Sequence, residues 1–235
     1  MSTLIFDIET VGENYDELDE TTQHMLTRWL ERTSKNEEEF EVGLKDVKNG
    51  LGFSPLTGQI VAIGVYDLER EKGVVYYQDP EHRHEDFEEN GISFKKRTEK
   101  EMIEQFWQGA MKYEDFVSFN GRGFDAPFLM IRSAIHKIRP TKNLLSNRYL
   151  GLQRGCRHID LCDQLSFYGA MFKRTSLHLA CRAFGIESPK SGGVTGDDVA
   201  GLFKAGRGLD IAKYNVGDLR ATGELYRYWK EYLNV

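Results

Sequence analysis

Near the N-terminus, Leu4-Ile5-Phe6-Asp7-Ile8-Glu9 sets two carboxylates into an apolar, partly β-branched run. The run reads as a short strand. Side chains alternate along a strand, so Asp7 and Glu9 share one face, roughly 6–7 Å apart along the chain. Burying two acids on one face is costly unless something pairs them. Two readings stand for this pair. Either the strand ends where both acids meet water, or divalent cations compensate them.

The remaining pattern surrounds this strand with α/β structure. Gln59–Tyr66 reads as a buried strand, and Gly73–Gln78 follows it in a hairpin arrangement. Phe116–Phe119 and Ile159–Leu161 read as further strands, and residues 80–97, polar and charged, as loop. Thr98 with Glu101 three residues on forms a capping-box pattern. Behind it Met102, Ile103, Phe106, Trp107, Ala110 and Met111 line one helix face. Helical patterns follow at Asp125–Ile138 and near 162–170, 175–184, 197–204 and 209–232. Residues 11–50 stand apart. Leu18, Met25, Leu26, Trp29 and Leu30 share one helical face; Phe40, Leu44, Val47 and Leu51 share another. This segment reads as two helices inserted after the first strand. With no break in composition, residues 1–235 are expected to form a single α/β domain.

Charge narrows the function classes. The chain of 235 residues carries a net charge of −6, which by itself argues against a nucleic-acid partner. Residues 11–50 alone hold eleven acids and five bases, so the rest is neutral. Between Asp125 and Asp160 there is no acid, while Arg132, Lys137, Arg139, Lys142, Arg148, Arg154 and Arg157 fall in that gap. Such a stripe can track phosphates on an acidic protein. No apolar run approaches a membrane span, and the N-terminal residues lack the basic segment of a signal peptide. Cys156, Cys162 and Cys181 are odd in number and lack CxxC spacing, so a reducing, cytoplasmic setting is expected. Their spacing with His158 and His178 matches no zinc pattern.

Two further motifs carry candidate chemistry. Asn120-Gly121-Arg122-Gly123-Phe124-Asp125 links a strand to a helix. Ligands of α/β sheets bind at such strand ends, although Asp is also a common helix N-cap. Tyr214 and Asp218 sit four apart in a helical stretch and share a face; exposed Tyr/Asp pairs at that spacing are also frequent.

In chain order these pieces are D-x-E, N-x-x-x-F-D and Y-x-x-x-D. On FDIET, FNGRGFDAPFL and YNVGDLRAT the chain resembles the DEDD 3′–5′ exonucleases, in the subclass marked by tyrosine. The sister subclass would have histidine at the position of Lys213. HIDLCDQLSFYGA, SLHLACRAFGI and TGDDVAGLF are similar to predicted exonucleases related to the proofreading domain of family B DNA polymerases. The resemblance covers residues 1–10 and 55–233 and leaves out 11–50.

The resemblance implies a ribonuclease H-like fold: a mixed central sheet of about five strands, the second antiparallel to the rest, flanked by helices. It implies two divalent cations, Mg2+ or Mn2+, whose hard character suits carboxylate oxygens. Asp7 would bridge both, Glu9 and Asp218 would hold the one nearer the nucleophile, and Asp125 would act through water on the other. Tyr214 would orient the attacking water. Ile8, Thr10, Asn120 and Phe124 flank these positions and are candidate contacts to the terminal nucleotide. The expected activity is release of nucleoside 5′-monophosphates from the 3′ end of single-stranded DNA. Rival readings are a 3′–5′ exoribonuclease with the same metal core, and a non-catalytic module that binds strand ends or a protein. The acidic excursion at 11–50 keeps a protein partner in view.

Overall fold

In the computed structural model, which describes residues 2–81, 83–171, 175–188 and 196–234, the Asp7/Glu9 run is a long inner strand. This strand, β1 (Thr3–Gly12), pairs antiparallel with β2 (Gly58–Asp67) and parallel with β6 (Asp115–Ser118). β2 continues to β3 (Lys72–Tyr77), and β6 pairs with β7 (Arg157–Asp160). A hairpin of β4 (Phe87–Glu89) and β5 (Ile92–Lys96) extends the far edge, giving seven strands in the order β4-β5-β3-β2-β1-β6-β7.

Alternation along β1 divides the molecule. Leu4, Phe6 and Ile8 enter one core with Met102, Ile103, Phe106 and Trp107 of α3 (Glu99–Ala110) and Phe128 and Leu129 of α4 (Asp125–Ile135). Ile5 enters the opposite core with Ile211, Leu219, Leu225 and Trp229 of α8 (Gly208–Tyr232). Asp7 and Glu9 continue the row of Ile5 and therefore face α8. Shorter helices complete that layer: α5 (Leu161–Leu165), α6 (Leu177–Phe184) and α7 (Val199–Lys204).

The sheet is larger than expected, and the reason is local. Residues 80–97, read as loop, contain the β4–β5 hairpin. Asn90 and Gly91 have φ of 51° and 78°, the left-handed pair that closes a two-residue hairpin. Phe87 stacks on Phe94 at 4.8 Å between ring centroids. The Asn-Gly signal was present but masked by flanking charge. β2 runs against β1 and β3 as expected, and β4 is reversed as well.

The excursion is helical but starts later than residue 11, because Val11 and Gly12 still pair with Gln59 and Gly58. It holds α1 (Glu20–Thr33) and α2 (Glu37–Gly50), capped by Asp19 and Asn36, whose side chains accept from Thr22 N and Glu39 N. Its exit, Leu51–Phe53, is pinned to β1. Thr10 Oγ1 donates to Gly52 O at 2.7 Å. A Cβ at Gly12 would lie 2.6 Å from Leu51 Cβ, so only glycine permits this approach. Thr195, the first residue of the TGDDVAGLF stretch, lies outside the described residues.

Candidate active site

Helix α8 crosses β2 and β1 closely enough to bring the last motif onto the first. The contact point is Gly64, which pairs with Asp7 in the β1–β2 register. A Cβ at Gly64 would fall 1.8 Å from Asn215 Oδ1 and 2.7 Å from Leu219 Cδ1. Glycine therefore lets α8 seat a fully buried Asn215 against the strand. Asn215 Nδ2 donates to Asp7 Oδ2 at 2.7 Å, and its amide also hydrogen-bonds to Glu9. One turn on, Asp218 joins them: oxygens of Asp7, Glu9 and Asp218 all lie within 4.8 Å of one another. Glu9 and Asp218 are buried and Asp7 is half-buried. Among the described residues no other group of three or more His, Cys, Asp or Glu is placed to share an ion.

Asp125 stands beside this trio. Its Oδ1 accepts the Ile8 N–H at 3.0 Å, which fastens the start of α4 to β1 between the two strand acids. Burial, then the charges of Asp125, Asp218 and Glu9, push the Asp7 carboxyl well above the usual carboxylate range. Burial and Asp218 raise Glu9 in the same way, opposed by the Asn215 hydrogen bond. Burial raises Asp125 to about 7 despite the Ile8 N–H. Tyr214 is half-buried and hydrogen-bonds to Asp218. Burial first, then Asp218, Glu9 and Asp7, drive its phenol far up from its ordinary value. Tyr214 thus stays a neutral hydroxyl.

A second layer holds the loop that delivers Asp125. Asp160, at the end of β7, accepts from Asn120 N at 2.8 Å, Arg122 N at 2.9 Å and Cys162 N at 3.0 Å. Asn120 has φ 61°, one of the few left-handed non-glycine positions, and these bonds hold it there. Below the loop, buried His158 bonds Leu144 O through Nδ1 and Ser118 Oγ through Nε2. Burial lowers His158 to about 4, so the ring is neutral and Ser118 donates to it.

Residues 59–230 match the family model described as predicted 3′–5′ exonuclease related to the exonuclease domain of PolB. The chain belongs to this family. The strand bearing Asp7 and Glu9 precedes the matched segment, so its tie to the exonuclease family rests on the geometry above. Among solved structures the chain is similar to the family B DNA polymerase of the hyperthermophilic archaeon Pyrobaculum calidifontis, at TM-score 0.55 and 17% identity. The likeness covers 97% of this chain and 24% of the polymerase, and it shows a shared ribonuclease H-like fold. No curated protein matches the chain.

The exonuclease fold treats the sequence candidates unequally. Asp7, Glu9 and Asp218 converge, with Asp125 and Tyr214 against them. The Ile8 side chain is 4% exposed and lies in the α3–α4 core, while its N–H reaches the site through Asp125. Thr10 and Phe124 remain at the border, Phe124 against the exposed ring of Phe53. Asn120 lines a small cavity of about 230 Å³ with Arg122 and Arg148. Three of the seven bases of the stripe are engaged in the fold: Arg132 pairs with Glu99, Arg148 with Asp163 and Arg157 with Asp115, at 2.6, 2.6 and 2.5 Å. A cavity of about 630 Å³ runs along another face of α8 by Lys213, Gly217 and Arg220, away from Asp7, Glu9 and Asp218. Sequence reasoning missed Asn215 and Asp160. An Asn inside a helix, three residues before a motif acid, was the available signal for the first.

Proposed function

We propose that this chain is a metal-dependent 3′–5′ exonuclease that releases nucleoside 5′-monophosphates from single-stranded DNA. The observation that carries this reading is the convergence of Asp7, Glu9 and Asp218 within 4.8 Å. Burial, then the negative charges of Asp125, Asp218 and Glu9, raises the proton affinity of Asp7. A buried, oxygen-only donor set of this kind fits hard divalent cations such as Mg2+ or Mn2+. Asp7, Glu9, Asp125 and Asp218 would hold them. When bound, such cations lower the acidity barrier of water and offset charge on the phosphate oxygens.

The protein groups then have distinct tasks. Asn215 fixes the rotamers of Asp7 and Glu9, so the donor set is oriented before any cation arrives. The Asp125–Ile8 bond keeps the second motif in register with the first. Tyr214, held neutral on Asp218, is too weak an acid to act as a base and serves to orient the attacking water by hydrogen bonding. The four acids, Tyr214 and the flanking Ile8, Thr10, Asn120 and Phe124 make up one site on one domain spanning 1–235. Among the described residues no helix is long and apolar enough to cross a membrane. Cys156, Cys162 and Cys181 are buried free thiols, which supports the cytoplasmic placement.

The test is cleavage of 3′- and 5′-labelled single-stranded DNA and RNA with Mg2+, Mn2+ or EDTA, beside Asp7→Ala. The expected result is a metal-dependent ladder shortening from the 3′ end, faster on DNA, and absent in the variant. Faster shortening of RNA would select the exoribonuclease reading. No cleavage of either polymer would point to an end-binding module.

One observation supports an added protein partner. Met25, Trp29 and Val42 on the excursion helices are 64%, 52% and 60% exposed. Apolar surface of that kind marks interaction sites. Deleting residues 15–50 with no change in oligomeric state or protein capture would remove this role.

A further inference from the structure

The exonuclease reading does not say where the strand runs once its 3′ end lies at the carboxylates. We propose that the helical excursion supplies the path: α2 and the Leu51–Phe53 turn, together with α7, form a cleft that binds the nucleotides upstream of the 3′ end. This inference rests on the exonuclease reading and extends it to residues 10–53, which precede the family match, together with α7 within it.

The cleft has a volume of about 470 Å³, and Thr10, Lys45, Lys48, Asn49, Phe53 and Lys204 are among the residues lining it. That size lies within the ~300–1,000 Å³ typical of ligand sites. Thr10, one residue beyond Glu9 on β1, is among the lining residues, so the cleft lies against the strand that carries the proposed metal ligands. Its wall is fixed there by the Thr10–Gly52 hydrogen bond and the close approach of Gly12 to Leu51.

The lining suits a phosphodiester strand. Among the described residues neither Lys45 nor Lys204 has an ion-pair partner, and both are exposed. Glu13 and Asp16 also border the cleft, but Asp16 is taken by Lys48 at 2.8 Å. Asn49 and Asn14 add neutral donors. Phe53 is 68% exposed and meets Phe124 edge-on at 6.4 Å, beside Asp125. An exposed aromatic ring next to free lysines is the pairing that single-strand sites use: stacking for a base, charge for the backbone. In the basic stripe at 132–157, by contrast, Arg132, Arg148 and Arg157 are held by carboxylates.

The experiment measures kcat/KM for a thymidine dinucleotide and a longer oligothymidylate at several salt concentrations. It compares the wild-type chain with Lys45→Glu/Lys204→Glu, with the milder Lys45→Ala/Lys204→Ala, and with Phe53→Ala. The p-nitrophenyl ester of thymidine 5′-monophosphate, which reaches only the metal site, is a control for wild type. Both double variants should lower the preference for the longer substrate, the charge reversal by about tenfold or more. Each phosphate contact contributes about 0.7 to the salt slope on single strands, so losing two should flatten it by about 1.4. Phe53→Ala should lower the preference at least about fivefold with the slope retained. Wild-type cleavage with preference and slope unchanged in every variant would overturn the cleft. A wild-type chain that hydrolyses neither ester nor oligonucleotide would instead overturn the exonuclease reading.

Discussion

The buried acids of this molecule fall into two regions that the fold treats in opposite ways. Around the sheet's periphery each has partners. Glu99 accepts from Arg132 Nε and Nη2 at 2.8 and 2.6 Å, from Ile60 N at 2.7 Å and bonds His136 at 2.6 Å. Asp115 and Asp163 take two-pronged arginines, and Asp160 takes three backbone N–H groups. At the junction of β1 and α8 the rule is broken. Asp7, Glu9 and Asp218 face one another, with two neutral groups, the Asn215 amide and the Tyr214 hydroxyl, against them. A fold that pairs Glu99, Asp115 and Asp163 with cations gathers several acids and no cation at this junction, and such local conflicts mark function. The Glu99 carboxyl shows the contrast: burial raises it, yet Arg132, Ile60 N–H and His136 bring it below its ordinary value.

The strongest way to break this comparison is Asp7→Asn. Hydrolysis should fall at least ~10²–10³-fold, the scale of losing one charge-stabilising group. Stability of the metal-free protein should hold or rise, because one of several repelling acids is gone. An Asp7→Asn protein that melts well below wild type in EDTA would place Asp7 with the structural acids. Glu99→Ala is the mirror test. It leaves Arg132 half-buried beside no anion and should cost about 3 kcal/mol in urea unfolding. The folded fraction should retain its cleavage rate and its Mn2+ requirement.

The same contrast explains what could be read from the chain. The Asp7/Glu9 strand was legible because its apolar neighbours and its period of two are local. The Thr98/Glu101 capping box was legible for the same reason, and both reciprocal bonds form. Compensation is not local. Arg132 reaches Glu99 across 33 positions and Arg157 reaches Asp115 across 42, so arginines of the stripe that looked free in sequence are engaged in the fold. Asn215 meets Asp7 across 208 positions, through space that Gly64 vacates. Neither Gly64 nor Asn215 signals the other in the linear pattern. The β4–β5 hairpin is the exception, since its Asn-Gly turn was local and was hidden only by surrounding charge.

Gly64 and Asn215 therefore offer a smaller but sharper test. Gly64→Ala must push Asn215 or α8 away from β1, an overpacking change that typically costs about 1–3 kcal/mol. Asn215→Ala removes the amide without crowding the strand. Both should raise the Mn2+ concentration needed for half-maximal activity, read by calorimetric titration as well as by rate. If Asn215→Ala binds Mn2+ as wild type does, the amide only fills space.

The smallest expected effect is on the pH dependence of stability, and its sign separates the two regions. Burial, then neighbouring acids, raises Asp7 and Glu9 in the metal-free fold, and burial raises Asp125 to about 7 from an ordinary 3.8. Between roughly pH 4 and 7 the folded chain thus holds protons that the unfolded chain has released. Stability tied to these groups is fully present below the unfolded value and is lost as pH rises through the folded one. Glu99 works the other way: its contribution is present above its unfolded value and lost as pH falls through the lowered folded one. In EDTA the melting temperature should therefore fall across the upper window, and Asp125→Asn should flatten that fall. With millimolar Mn2+ the trend should reverse, because a cation binds the deprotonated acids and stabilises by mass action. A metal-free melting temperature that climbs steadily to about pH 7, alike in wild type and Asp125→Asn, would mean that the β1–α8 acids are as well compensated as those at the periphery.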